Sequence, residues 1–314
     1  MHQVFLLHSF VVFIIVIHFN ISSARGFCAT SAPDERLEAE HKRLSSIERQ
    51  ANDGNGFEGR KDGSVIEIET WFHIVSSEEK SRLVSDAMIS NQFAILQSAY
   101  GNTNISYRLQ GVTHHVNDTW ARNEDDLAMK RALRQGTYRT LNVYFQTDLQ
   151  GASGDSARVI DDDPSRESLE NELSSSVLGF CTLPDPSINA SSPSGQYIND
   201  GCNILANTMP GGSITHYNLG GTAIHEIGHW NGLLHTFQGE SCSPNNDGDY
   251  ISDTPQESTP TDGCPSGKDS CPRSPGLDPV HNYMDYSSDD CYSEFTANQA
   301  QRMQNMWFSL REAK

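Results

Sequence analysis

The sequence is short of positive charge. It sets 22 Lys and Arg against 41 Asp and Glu, a formal net charge of −19 with His neutral. Such a surface repels phosphate backbones and anionic lipid, which argues against nucleic acid or a membrane surface as partner. Long apolar runs are scarce too: after Phe19 no segment could cross a bilayer. Internal repeats are lacking, and the first half of the chain holds one cysteine of the seven. What remains is a globular composition, 36% hydrophobic and 20% charged, in 314 residues. That length suggests one large domain plus processed segments. The acidity also suits calcium, a hard cation that takes carboxylate oxygens.

The one long apolar run, Val4 to Phe19, precedes the small residues Ser22, Ser23 and Ala24. This pattern predicts a signal peptide over 1–24, removed near Ala24. A membrane anchor is the rival reading, although the run is slightly short for a span. Residues 25–60 are polar, charged and rich in Ala, Glu and Arg, ending in ANDGNGFEGRKDG. They suggest a helical pro-segment and linker with Arg60–Lys61 as a processing point; an ordered N-terminal extension fits the composition equally well. Cysteines 181, 202, 242, 264, 271 and 291 cluster in the C-terminal half and Cys28 stands alone. An even cluster in a secreted chain suggests three disulfides, with connectivity left open. Asn104, Asn117 and Asn189 begin N-x-S/T triplets, glycosylation acceptors only in the secretory pathway.

Alternating β-branched residues at Val65–Val75 predict a strand, as do Ile105–Val116 and Leu141–Phe145. Leu83–Tyr100 carries apolar residues at helical spacing, and Glu124–Gln135 reads as a second helix with Asn123 as N-cap. Gly151–Ser176 is loop-rich, and strand-like pieces follow at Val177–Thr182 and Asn203–Thr208. Residues 238–282 are rich in Pro, Gly, Ser and Asp without periodicity, so disulfides and bound ions must hold them. A last helix spans about Ala297–Leu310.

The decisive stretch is Thr222–His235, TAIHEIGHWNGLLH. His225 and His229 lie four apart and share one helix face, where two imidazoles can hold one zinc ion. Glu226 follows the first ligand and can act as general base toward a water on the metal. Gly232 can take the left-handed conformation that ends a helix, swinging His235 back as third ligand. Three protein ligands leave one position open, as catalytic rather than structural zinc sites do. With 12 His in the chain, the full HExxHxxGxxH pattern would arise by chance in about one such chain in several thousand.

These residues are those of the metzincin clan, which also needs a methionine turn, and His281–Tyr286 (HNYMDY) fits. The two motifs, CSPNNDGDYISDTPQ and the cysteine spacing together resemble the pappalysin family, in particular its small secreted microbial and fungal endopeptidases. The resemblance covers about residues 65–310. It implies that Met284 forms an apolar floor under the zinc and that Tyr286 donates a hydrogen bond to the developing oxyanion, with plain packing of Tyr286 the alternative. It implies disulfides Cys242–Cys271 and Cys264–Cys291, leaving Cys181–Cys202 as the third. Arg25–Thr30 loosely resembles the Arg-Cys-Gly-Thr latency stretch of pro-metzincins, in which a thiolate fills the open zinc position. Here Gly26 and Phe27 precede the cysteine and Ala29 replaces the glycine, so a cysteine switch at Cys28 and an incidental thiol both stand. Asp247, Asp249, Asp253 and Thr254 suggest structural calcium, as in the family, against a solvated acidic loop. Asp289 and Asp290 fall where metzincins build the wall of the pocket past the scissile bond, and acidity there would favour basic side chains.

The expected fold is α+β and metzincin-like. A twisted mixed sheet and the active-site helix form an N-terminal subdomain over 61–235. An irregular, disulfide-bonded C-terminal subdomain with the Met-turn covers 236–314. The strand near Asn203–Thr208 is expected at the sheet edge, where it would pair with an extended peptide. The expected activity is zinc-dependent hydrolysis of protein or peptide substrates by an extracellular monomer, free of the membrane once the signal is removed. A binding protein that keeps the fold without hydrolysis, or hydrolysis of a non-peptide amide, are the readings set against it.

Overall fold

Strand β1 (Ile66–Ser76) is the axis of the molecule. Its first residues alternate buried and exposed, and from Phe72 onward all are buried, because neighbours then flank it on both sides. The computed structural model describes residues 27–52, 64–151, 177–244, 246 and 248–312. The signal-like run, Arg25, Gly26, Arg60–Lys61, Asp247 and nearly all of the loop expected at Gly151–Ser176 lie outside the described residues.

Among those residues the sheet has five strands in the order β2-β1-β3-β5-β4. β2 (Ile105–Val116), β1, β3 (Leu141–Gln146) and β5 (Cys202–Leu205) run parallel, and β4 (Gly179–Cys181) lies antiparallel to β5. β5 is therefore not the edge that the sequence suggested. Its backbone is taken by β3 on one side and β4 on the other, and the Cys181–Cys202 disulfide staples two residues that face each other in register. β4 takes the outer position on this side of the sheet.

Between the strands, α2 (Asp86–Ala99) is capped by Ser85, whose side chain accepts from Met88 N–H, and buries Ile89, Gln92 and Leu96 at helical spacing. The helix expected at Glu124–Gln135 starts later, at Asp126, and a separate turn precedes it. α3 (Asp118–Ala121) is a single turn capped by Asn117, too short to show periodicity. α4 (Asp126–Leu133) is capped by Asp125, which accepts from Ala128 N–H, while Asn123 sits at φ +63°, unlike the extended backbone of an N-cap.

The sheet packs on α5 (Gly221–Trp230), every residue of which is buried. Ile224, Ile227, Trp230 and Leu233 join Phe72, Val143 and Ile204 in the main core. Past it, disulfides Cys242–Cys271 and Cys264–Cys291 hold the irregular segment. A capping box of Thr296 and Gln299 then opens α6 (Ala297–Met306), which continues as one wide turn, Trp307–Arg311. Buried Asp200 ties this end to the rest, pairing with Arg311 at 3.0 Å and Arg134 at 3.4 Å and accepting from Trp230 Nε1. The N-terminal helix, here α1 (Glu35–Asn52), lies on α6. No helix among the described residues is long and apolar enough to cross a membrane.

Candidate metal centre and catalytic site

α5 brings His225 and His229 to one face, and Gly232 at φ +93° turns the chain so that His235 comes back toward them. A side chain at 232 would also collide with Met306. His229 Nε2 lies 3.2 Å from His225 Nε2 and 3.1 Å from His235 Nε2. The far nitrogens of the first two rings are occupied: His225 Nδ1 faces Tyr283 O at 2.7 Å and His229 Nδ1 faces Leu233 O at 2.8 Å. A carbonyl can only accept, so each Nδ1 carries the proton and each Nε2 presents a lone pair. Burial pushes His229 down to about 4 and the other two well below the usual imidazole range, so all three rings are neutral. Neutral imidazoles with converging lone pairs suit a divalent cation and little else, and the Cys28 thiol is the fourth donor of the group, all within 4.8 Å of one another.

Beneath the histidines, Met284 is fully buried and so close to Gly228 that a Cβ there would strike its sulfur. Its turn is held by Asn282 Oδ1, which accepts from Met284 N–H at 3.0 Å, and by Asp285, which accepts from Thr261 N–H and Tyr286 N–H. The Tyr286 ring packs 4.9 Å from His235 and 5.7 Å from His225, and its hydroxyl donates to Cys28 O at 3.4 Å. Burial raises its pKa, so the hydroxyl stays a donor.

Glu226 points to the other side of the cluster. Its Oε2 accepts from Thr30 Oγ1 at 3.1 Å and from Cys28 Sγ at 3.4 Å, and its Oε1 meets no hydrogen-bond partner among the described residues. Burial pushes its carboxyl up to about 8, against the lowering effect of those two donors. β4 passes directly over it, and a Cβ on Gly179 would sit 2.8 Å from Glu226 Cγ. That close approach requires glycine.

Residues 27–30 lie along the outer side of β4 as an extra parallel strand. Leu178 N–H donates to Phe27 O at 3.1 Å and Ala29 N–H donates to Gly179 O at 2.9 Å. Thr30 closes the strand, its hydroxyl also accepting from Cys181 N–H at 2.9 Å. Phe27 fills a pocket beside the three histidines, stacked 4.6 Å from Tyr286 and edge-on to Tyr217 and His225 at 5.4 and 5.3 Å. Sequence reasoning missed Thr30, Phe27 and Tyr217. Thr30 and Phe27 stood within the latency-like stretch, whereas nothing local marked Tyr217.

The remaining candidates fall elsewhere. Asp249 is buried, and its carboxylate accepts from Thr254 Oγ1 and Ile251 N–H. Asp253 caps α6, accepting from Thr296 Oγ1 and Asn298 N–H. Neither belongs to a group of three or more donors found among the described residues. A second such group, Cys264, His281 and Cys291, spends both sulfurs in a disulfide. Asp289 is buried beneath the start of α5, where Oδ2 accepts from the N–H groups of Leu219 and Gly221 at 2.7 and 3.3 Å. It neutralises that helix terminus, while Asp290 is exposed.

Residues 179–307 match the peptidase family M43, described as pregnancy-associated plasma protein-A. An extracellular metalloprotease of Aspergillus oryzae is 60% identical over 294 residues, 94% of this chain and 92% of that one. One of Aspergillus fumigatus is 63% identical over 292 residues, 92% and 90% of the two. In fold, a promirolysin mutant of Tannerella forsythia aligns with a TM-score of 0.62 at 23% identity, covering 91% of this chain and 95% of that one. Mature mirolysin in complex with a cleaved peptide gives 0.57 at 24%, covering 78% and 92%. With identity this high over nearly the full length of the fungal enzymes, the chain belongs to the M43 pappalysin family of metalloproteases.

Proposed function

We propose that this chain is a secreted zinc endopeptidase made as a latent precursor. His225, His229 and His235 hold the zinc, Glu226 is the general base, Tyr286 steadies the oxyanion and Cys28 is the latch. The observation that carries the reading is the convergence of three neutral Nε2 lone pairs with the Cys28 sulfur, beside a buried carboxylate. Zinc bound there would supply Lewis-acid polarisation of the scissile carbonyl and acidify the attacking water. Glu226 Oε2, once Thr30 and Cys28 leave it, takes the proton of that water and passes it to the departing amine nitrogen. Tyr286 already donates to one peptide carbonyl, that of Cys28, which supports its donating to the carbonyl under attack. The outer side of β4 would hold a protein or peptide substrate through main-chain hydrogen bonds, as it now holds residues 27–30.

Latency has a second line of support. The pro-form of mirolysin shares its fold with 91% of this chain and the mature form with 78%, so the extra likeness accompanies the pro-form. The reading is tested by hydrolysis of an unstructured protein by the matured enzyme, with and without phenanthroline and beside Glu226→Ala. Loss of activity in both cases is expected. A processed sample containing one zinc that cleaves nothing would shift the assignment to a binding role.

A further inference from the structure

The first contact of the pro-segment, residues 27–30, covers the catalytic cleft. A second lies at the C-terminal end of the fold and touches no catalytic group. α1 turns one face to α6, and that face is Leu37, His41, Leu44, Ser45 and Glu48, all buried, at steps of three, four and one. Its other face is charged, with exposed Lys42 and Arg43 paired to Glu38 and Glu40, and Arg43 also donating to Ser309 Oγ at 3.3 Å. Leu37 and Leu44 pack on Met306 and Leu310.

At the centre of the contact stands Arg302, fully buried. Its guanidinium holds Glu48 in a forked pair with hydrogen bonds of 2.7, 3.0 and 3.2 Å, and His41 Nδ1 lies 2.9 Å from its NH1 group. Asn305 adds a bond to the same carboxylate at 2.8 Å. A forked Arg–carboxylate pair out of water is strong and geometrically exacting, and removing one partner strands a buried charge.

We propose that the α6 face is a docking surface for α1 that retains the pro-segment after the chain has been cut in 53–63. This rests on the reading of residues 25–60 as a pro-segment. The latch (27–30) and the anchor (α1) are separated by only residues 31–34, and both lie on the N-terminal side of such a cut. The released fragment is a bivalent ligand whose two contacts raise each other's effective concentration, so the cut enzyme stays inhibited. Activity appears when the chain is severed between latch and anchor, or when the anchor is displaced. The partner that fits the face is an amphipathic helix with two leucines seven apart and a carboxylate four beyond the second, and the chain carries that helix itself.

The test uses the full chain with a site for a sequence-specific protease placed within 53–63. After cutting, the fragment is expected to co-elute with the enzyme on gel filtration, with activity staying near that of the uncut precursor. Glu48→Ala or Leu44→Ala should leave the uncut protein folded and latent, yet the cut protein should release the fragment at least about 100-fold more readily and become active, the scale expected for breaking a buried ion pair. Full activity on cutting the parent would overturn the docking surface while leaving the latch intact. Retention unchanged in both anchor variants would also overturn it. An uncut precursor that is active and folded would instead remove the latency reading, and the proposal with it.

Discussion

Truncating Phe27 to Ala should open the proposed latch without replacing any of the three histidines or Glu226. The ring is 7% exposed and touches Tyr286, Tyr217 and His225. Burying a phenylalanine contributes about 2–3 kcal/mol, and a stacked or edge-on aromatic contact about 1 kcal/mol more. A net change of about 3 kcal/mol multiplies the open population roughly 100-fold while the latch remains mostly closed. Cys28 is the one cysteine outside a disulfide, so the rate of its alkylation reports opening directly. Running both arms in a Glu226→Gln background prevents self-processing from obscuring the comparison. An alkylation rate changed less than about threefold would show that Phe27 fills its pocket without holding the latch.

Thr30→Val removes one of the two donors to Glu226 Oε2 and leaves Cys181 N–H buried and unsatisfied. It should loosen the latch by about 1–3 kcal/mol in the same alkylation assay, and Thr30→Ser should restore it. Gly179→Ala pushes a methyl against Glu226, so the matured enzyme should lose roughly 100-fold in kcat with zinc content unchanged, read by peptide hydrolysis and metal analysis. His73, fully buried between Thr113 Oγ1 and Asn142 Oδ1, is pushed by that burial down to about 4 from the ordinary 6.5. The unfolded chain therefore binds the proton more tightly. The stability that neutral His73 supports is whole above pH 6.5 and is lost as pH falls through 4, by about 3 kcal/mol in all. Thermal unfolding of His73→Gln should fall less steeply across that window than the parent, and parallel curves would refute the assignment.

The helix that carries His225 and His229 was legible because its signals are local. Four-residue spacing fixes a helix face, and a glycine at the right step ends it, whatever the rest of the chain does. β1 was legible for the same reason, since its alternation needs only a window of about ten residues, and β2 and β3 read as strands from local apolar and β-branched content. Strand order is another matter. Cys202–Leu205 and Gly179–Cys181 both read as short apolar strands, and which of them closes the sheet depends on pairings across more than 20 residues. Asn123 and Asp125 are both good cap residues, and only the backbone at each chooses between them. Arg302 looks on a helical wheel like a solvated charge; it is buried because Glu48, 254 positions away, meets it.

On the proposed reading of Cys28, the latency-like stretch looks degraded as a pattern and still keeps its chemistry. Its two departures, Ala29 after the cysteine and Phe27 before it, would count against a switch if each position mattered equally. In the fold they do not. Ala29 is exposed and contributes its backbone N–H to Gly179, so an added methyl meets nothing. Phe27 gains an aromatic pocket that a smaller residue would leave unfilled. The positions that must keep their side chains are Cys28, whose sulfur joins the histidine cluster, and Thr30, whose hydroxyl bridges Glu226 and the edge strand. Both are present. A latch of this kind tolerates change wherever only its backbone is used, and demands identity wherever a side chain reaches the metal ligands or the base.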